Sequence, residues 1–169
     1  MNKIELRDKC LSLRRKLNKN KASHEIVSKI KRFDKFQTAE HILIFYPMKY
    51  EIDLLDLTFE NKRFYLPKVD GDSLLIYPFS NNLKKSKFGV MEPFGDNPSD
   101  ISLIDIAFVP ALCIDKNLNR IGYGKGYYDK FFSNPEFKGL KVGVIYKELI
   151  VDKIDNEIFD KKLDYVVTD

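Results

Sequence analysis

Apolar residues recur at helical spacing from the start of the chain, and Leu6, Cys10, Leu13 and Leu17 predict an amphipathic helix from about Lys3 to Leu17. Lys3, Arg7 and Arg14 fall on a second stripe beside the apolar one, while Arg15 points elsewhere. Long cations at such a border usually cover the edge of a core; the other reading is a cationic edge along a cleft. A second helix is predicted from about Ala22 to Phe33, with Ile26, Ile30 and Phe33 inward. The pattern then changes. Ile42 to Tyr46 is a continuous apolar run of strand length, as in a strand covered on both faces, and it stops at Pro47. Asp53 is placed to cap a short helix reaching Glu60, and Glu51 just before it reads by default as a solvated acid. Arg63–Leu66 and Leu74–Tyr77 flank Asp70-Gly71, which predicts an antiparallel hairpin. Ser80 to Ser102 is polar and reads as a long loop, its Lys84, Lys85 and Lys87 a solvated run. Ile104 to Cys113 is again extended and apolar, Tyr127 to Phe132 opens a helix, and Leu140–Tyr146 and Tyr165–Thr168 are two more strands. Helices alternating with buried strands define an α/β chain, with helices on both faces of a mixed, mostly parallel sheet. Strand order does not follow from sequence order.

Composition adds limits. A chain of 169 residues, 44% hydrophobic, reads as one domain spanning 1–169 with a substantial core. Met1 to Leu17 is charged throughout and no run is long enough to span a bilayer, so the expectation is a soluble cytoplasmic protein without a membrane partner. Cys10 and Cys113 have no neighbour at metal-ligand spacing and read as buried, reduced thiols. The net charge of +4 is mild and both signs are interspersed. With only His24 and His41, well separated, histidine acid–base chemistry has little support. His24 reads as an exposed helix residue and His41 as the lip of a strand.

The chemistry concentrates in Arg120-Ile121-Gly122-Tyr123-Gly124-Lys125-Gly126-Tyr127-Tyr128-Asp129. Glycines on alternate positions let a backbone bend tightly and turn its N–H groups toward one point, forming a nest for phosphate oxygens. Arg120 and Lys125 add fixed positive charge. Asp129 beside phosphates is repulsive unless a divalent cation lies between them, so it is a candidate magnesium ligand. The spacing is neither the dinucleotide pattern, since Tyr127 occupies the third glycine's place, nor the common phosphate loop.

Val109-Pro110-Ala111-Leu112-Cys113-Ile114-Asp115 followed by Asn119 to Asp129 resembles the signature of the 5-formyltetrahydrofolate cyclo-ligase family, and the likeness runs through essentially the whole chain. The resemblance implies a three-layer α/β/α sandwich and ATP-dependent closure of 5-formyltetrahydrofolate to 5,10-methenyltetrahydrofolate, with ATP and Mg²⁺ required. It places Lys3, Arg7, Arg120, Gly122, Tyr123, Gly124, Lys125, Gly126, Tyr127 and Tyr128 at ATP. It makes Asp129 the magnesium ligand and gives catalysis to Arg120, Lys125 and Asp129. Met48, Glu51 and Tyr127 fall to the folate, with Tyr46 or Phe88 able to contact the pterin; Phe88 to Pro93 matches another recurring segment. The chain departs from the family at Pro47 and Leu54, which replace serine and threonine. It departs also at Leu149, Asp155 and Phe159, which stand for glutamine, proline and histidine, and at Ala111, which stands for glycine.

Two other classes fit less of the sequence. A nucleic-acid-binding module needs stacking aromatics along a basic stripe, whereas here the aromatics sit in strands and the charges mix, so no nucleic-acid partner is expected. A different ATP-using enzyme on the same scaffold would share the glycine stretch but not the dependence on folate. The expected partners are therefore folate and ATP, bound by a monomer.

Overall fold

The computed structural model describes Met1–Asp169. Helix α1 runs over Lys3–Arg14 and is closed at its start by a capping box, in which Asn2 accepts the Glu5 N–H and the Glu5 carboxylate accepts that of Asn2. It stops a turn short of the predicted Leu17 because Asn18 already caps the next helix, α2 (Lys19–Lys31), by accepting the Lys21 N–H. A short helix that periodicity did not show, α3 (Asp34–Thr38), buries Phe36 before strand β1 (His41–Leu43). The apolar run continues past β1, but only Ile44 keeps a sheet-like bond, to the Tyr65 carbonyl. Asp53 accepts the Leu55 N–H but stands one residue before the cap position, which is Leu54, and the element that follows, Leu55–Phe59, is a 3₁₀ helix without a side-chain cap.

The hairpin forms as the turn chemistry predicts, from β2 (Arg63–Asp70) and β3 (Ser73–Pro78), with Gly71 in the left-handed region. The segment read as a plain loop holds a second, small hairpin of β4 (Leu83–Lys85) and β5 (Met91–Pro93). Alternation over three residues is too short a signal to see. Next come β6 (Ile106–Pro110), β7 (Cys113–Asp115), β8 (Arg120–Ile121), helix α4 (Tyr127–Ser133), β9 (Leu140–Ile145), β10 (Ile150–Val151) and β11 (Tyr165–Thr168).

Six strands make the main sheet in the order β11-β9-β6-β1-β2-β3, parallel throughout except for β2 against β3. This is the mixed, mostly parallel sheet of an α/β sandwich. Its central strands are covered on both faces and carry fully buried residues such as Ile42, Leu43, Phe108 and Val109, which is why they read as continuous apolar runs. The core extends from Leu6 on α1 to Leu163, and it encloses both free thiols, Cys10 and Cys113. The extended run 104–113 divides between two sheets: β7 leaves the main one to pair with β8 and β10. No helix is long and apolar enough to cross a membrane.

At the entry to β9, the Leu140 N–H bonds the Asp105 carbonyl, and a Cβ on Gly139 would lie 2.5 Å from the Ile104 carbonyl oxygen. Backbone, unlike the end of a side chain, cannot step aside. Gly139→Ala is therefore expected to destabilise the fold by about 2 kcal/mol, read as a lower urea midpoint at unchanged slope; an unshifted midpoint contradicts it.

Candidate active site

Parallel strands β1 and β6 end at Leu43 and Pro110, and the chemistry-bearing loops follow, as is usual for open α/β sheets. The loops surround a cleft of about 1290 Å³, more than one small ligand ordinarily needs. Helix α1 contributes Lys3 and Arg7, the turn after β1 Met48 and Glu51, hairpin β2–β3 Val69 and Leu74, and hairpin β4–β5 Val90 and Glu92; the glycine loop with α4 and the segment 155–160 complete the wall. Every residue that sequence reasoning assigned to the site lines this cleft.

The glycines have different reasons to be glycine. Gly124 (φ +92°) and Gly126 (φ +72°) lie in the left-handed region, where a side chain is strained. Gly122 does not; a Cβ there would come within 2.9 Å of Arg120 Nη1. That guanidinium donates to the Pro110 carbonyl at 2.9 Å and lies 5.3 Å from the centre of the Tyr128 ring. Burial lowers its affinity for the proton and the Asp129 carboxylate offsets this only in part, so Arg120 is a fixed, partly desolvated cation. Arg7 Nε donates to the Gly122 carbonyl at 3.0 Å, so α1 braces the loop and is not merely covering the core edge. Lys125 is exposed, its Nζ 5.9 Å from the Phe88 ring centre. Since α4 has only seven residues, most of the positive potential here comes from these side chains rather than from the helix dipole.

Around the cations lie acids. Lys3 Nζ is 2.7 Å from Asp160 Oδ2 and 3.6 Å from Glu157, and Asp129 Oδ1 accepts the Lys161 N–H at 3.1 Å. Burial would raise the Asp160 carboxyl, but the hydrogen bonds from Lys3 and the Glu157 N–H outweigh it and hold the group below its usual range. Asp160 and Glu157 escaped sequence reasoning because they come from a polar segment far along the chain; Phe159 before Asp160 was the only pointer. No three His, Cys, Asp or Glu side chains converge as a ready-made metal site. What is present, one carboxylate beside a phosphate-sized cationic loop, suits magnesium, which keeps several waters and takes its other ligands from substrate phosphates.

Glu51 is not the solvated acid that its isolation in sequence predicts, being only 5% exposed. The turn from Met48 folds it inward, so Oε1 accepts the Met48 N–H at 2.8 Å and Oε2 the Tyr123 hydroxyl at 3.3 Å. Burial raises its pKa, against the pull of that N–H and of Arg14. Tyr123 in turn is pushed up to about 12 by burial and by Glu51. Its hydroxyl thus belongs with Glu51 rather than with the cations. Arg14, read from its stripe as a border cation, is instead buried, 5.6 Å from the Tyr123 ring centre. Tyr127 opens α4 on the cleft, and burial drives the Tyr128 phenol well above its ordinary value. Tyr46 and Phe88 also face the cleft. His24 is exposed; His41 starts β1, bonded to Tyr65 at 2.7 Å and absent from the cleft wall. Of the departures, Pro47, Leu54, Ala111 and Leu149 do not line the cleft, whereas Asp155 and Phe159 do.

The structure thus defines an α/β protein with a glycine-rich cationic loop at the carboxyl end of a parallel sheet and a buried glutamate lining the same cleft. The chain belongs to the 5-formyltetrahydrofolate cyclo-ligase family, a family of ligases, whose model matches residues 1–169. A Schizosaccharomyces pombe protein described as a probable 5-formyltetrahydrofolate cyclo-ligase is 33% identical over 137 residues, 68% of this chain and 66% of that one. The 5-formyltetrahydrofolate cyclo-ligase of Mycoplasma genitalium is 30% identical over 130 residues, 77% of this chain and 73% of its own length. Among solved structures, the Aquifex aeolicus 5,10-methenyltetrahydrofolate synthetase superposes with a TM-score of 0.86 at 32% identity, covering 99% of this chain and 89% of that one.

Proposed function

We propose that the protein closes 5-formyltetrahydrofolate to 5,10-methenyltetrahydrofolate with conversion of ATP to ADP and phosphate. The observation that carries this is the joining, in one cleft, of fixed cations on a glycine loop with an apolar wall and a buried carboxylate. A formyl amide is a poor electrophile, and its oxygen does not leave unaided. Transfer of the γ-phosphoryl group of ATP to that oxygen makes it a leaving group. N10 then bonds to the formyl carbon, the C–O bond breaks, phosphate departs and N10 gives up its proton.

Each of these steps asks for positioning and charge neutralisation rather than a covalent intermediate on the protein. Lys3 and Arg7 hold the triphosphate from α1, and the N–H groups around Gly122, Gly124 and Gly126 cradle it. Arg120 and Lys125 face the charge that develops during transfer. Asp129 holds magnesium, which when bound neutralises phosphate charge. Glu51, with Met48 and Tyr127, orients the folate, and no histidine is required. On this reading the enzyme acts as a cytoplasmic monomer without nucleic acid.

Oxygen-18 in the formyl group tests the reading. The label is expected in the released phosphate, and label appearing in water contradicts phosphorylation of the formyl oxygen. Glu51→Gln is expected to raise KM for folate about tenfold by removing a charged acceptor, and to leave KM for ATP unchanged. Equal rises in both would place Glu51 outside the folate site.

A further inference from the structure

Glu92, on β5, is 6% exposed and makes one hydrogen bond, Oε2 accepting the Val69 N–H at 2.8 Å. It has no ion pair. Neighbouring lysines are available but turn away. Lys84, its partner across the β4–β5 hairpin, reaches the Phe94 ring at 5.6 Å, and Lys68 reaches the Tyr77 ring at 5.4 Å. The second oxygen is unbonded, yet the fully enclosed unpartnered side-chain atoms are only Arg14 Nε and Asn119 Oδ1. That oxygen is therefore not sealed in the core, and Glu92 lines the cleft. A carboxylate so nearly buried with an empty acceptor is costly unless a donor arrives. Glu51 differs, for both of its oxygens already have donors within the protein.

We propose that Glu92 is a specificity-determining residue that accepts a hydrogen bond from the aminopyrimidine edge of the pterin ring. The proposal rests on the folate reading of the cleft. The surrounding wall of Val69, Leu74 and Val90 is apolar and suits a flat heterocycle, whereas the cations stand on α1 and the glycine loop. Among the groups that 5-formyltetrahydrofolate presents, the formyl oxygen and the glutamate carboxylates are acceptors and are repelled by Glu92. The 2-amino group and N3–H are donors and satisfy it.

The test compares the full-length protein with Glu92→Gln, which keeps an acceptor for the Val69 N–H but can turn an amide NH₂ toward the ligand. KM for 5-formyltetrahydrofolate is expected to rise about tenfold or more, with KM for ATP, kcat and the melting temperature unchanged. An analogue lacking the 2-amino group is expected to bind the wild-type protein about tenfold more weakly than folate, and the variant to lose this preference. An unchanged folate KM, a parallel rise for ATP, which would place adenine here instead, or a preference kept in full overturns the proposal. If Glu92→Gln does not fold, Glu92→Asp, with its carboxylate drawn back by one methylene, is expected to give the same selective rise, and no rise overturns the proposal. Absence of any methenyl product from the wild-type protein would instead remove the folate reading itself, and Glu92's role with it.

Discussion

Arg120→Met is expected to lower kcat/KM for ring closure by about 10²- to 10³-fold. The guanidinium is fixed before any ligand arrives, by the Pro110 carbonyl, the face of Tyr128 and the space left by the missing side chain of Gly122. A cation that need not reorganise is worth most where charge develops, in a cleft that already strips it of water. Methionine keeps much of the apolar stem, so the melting temperature should move little. Arg120→Lys should recover only part of the loss, because an ammonium cannot hold the Pro110 carbonyl while also presenting a planar fork. Wild-type turnover in Arg120→Met would show that phosphate charge is met elsewhere.

Asp129→Asn should cost about 10²-fold in turnover at fixed magnesium and shift the half-saturating magnesium concentration upward. Asparagine can still accept the Lys161 N–H, so the segment that carries Asp160 keeps its anchor and the fold is retained. The loss is then one of charge alone. Full activity with an unshifted magnesium dependence contradicts the assignment, and a loss of melting temperature would make Asp129 structural.

The parts of the molecule that sequence showed are those in which a residue's role is fixed by its neighbours along the chain. Strand β6 is buried on both faces and so reads as unbroken apolar residues. The β2–β3 turn is legible because Gly71 takes a left-handed conformation, and α1 because its apolar stripe faces the core. The glycine loop was visible for the same local reason. What stayed hidden depends on contacts between distant segments. Glu51 looks solvated until α1 and Tyr123 close over it, and Arg14 looks like a border cation until it is buried beside them. Glu92 sat in an apparent loop, since β4 and β5 have three residues each. Asp160 meets Lys3 across 157 residues. No periodicity carries such a pairing.

Absorbance in the near ultraviolet, followed with the purified protein, 5-formyltetrahydrofolate, ATP and magnesium while each component is omitted in turn, decides whether the cleft does what its residues imply. The methenyl band should grow only in the complete mixture, with one phosphate released per product. A band that never grows although ATP binds would leave the phosphate site standing and refute the folate assignment, and growth without ATP would refute the proposed chemistry.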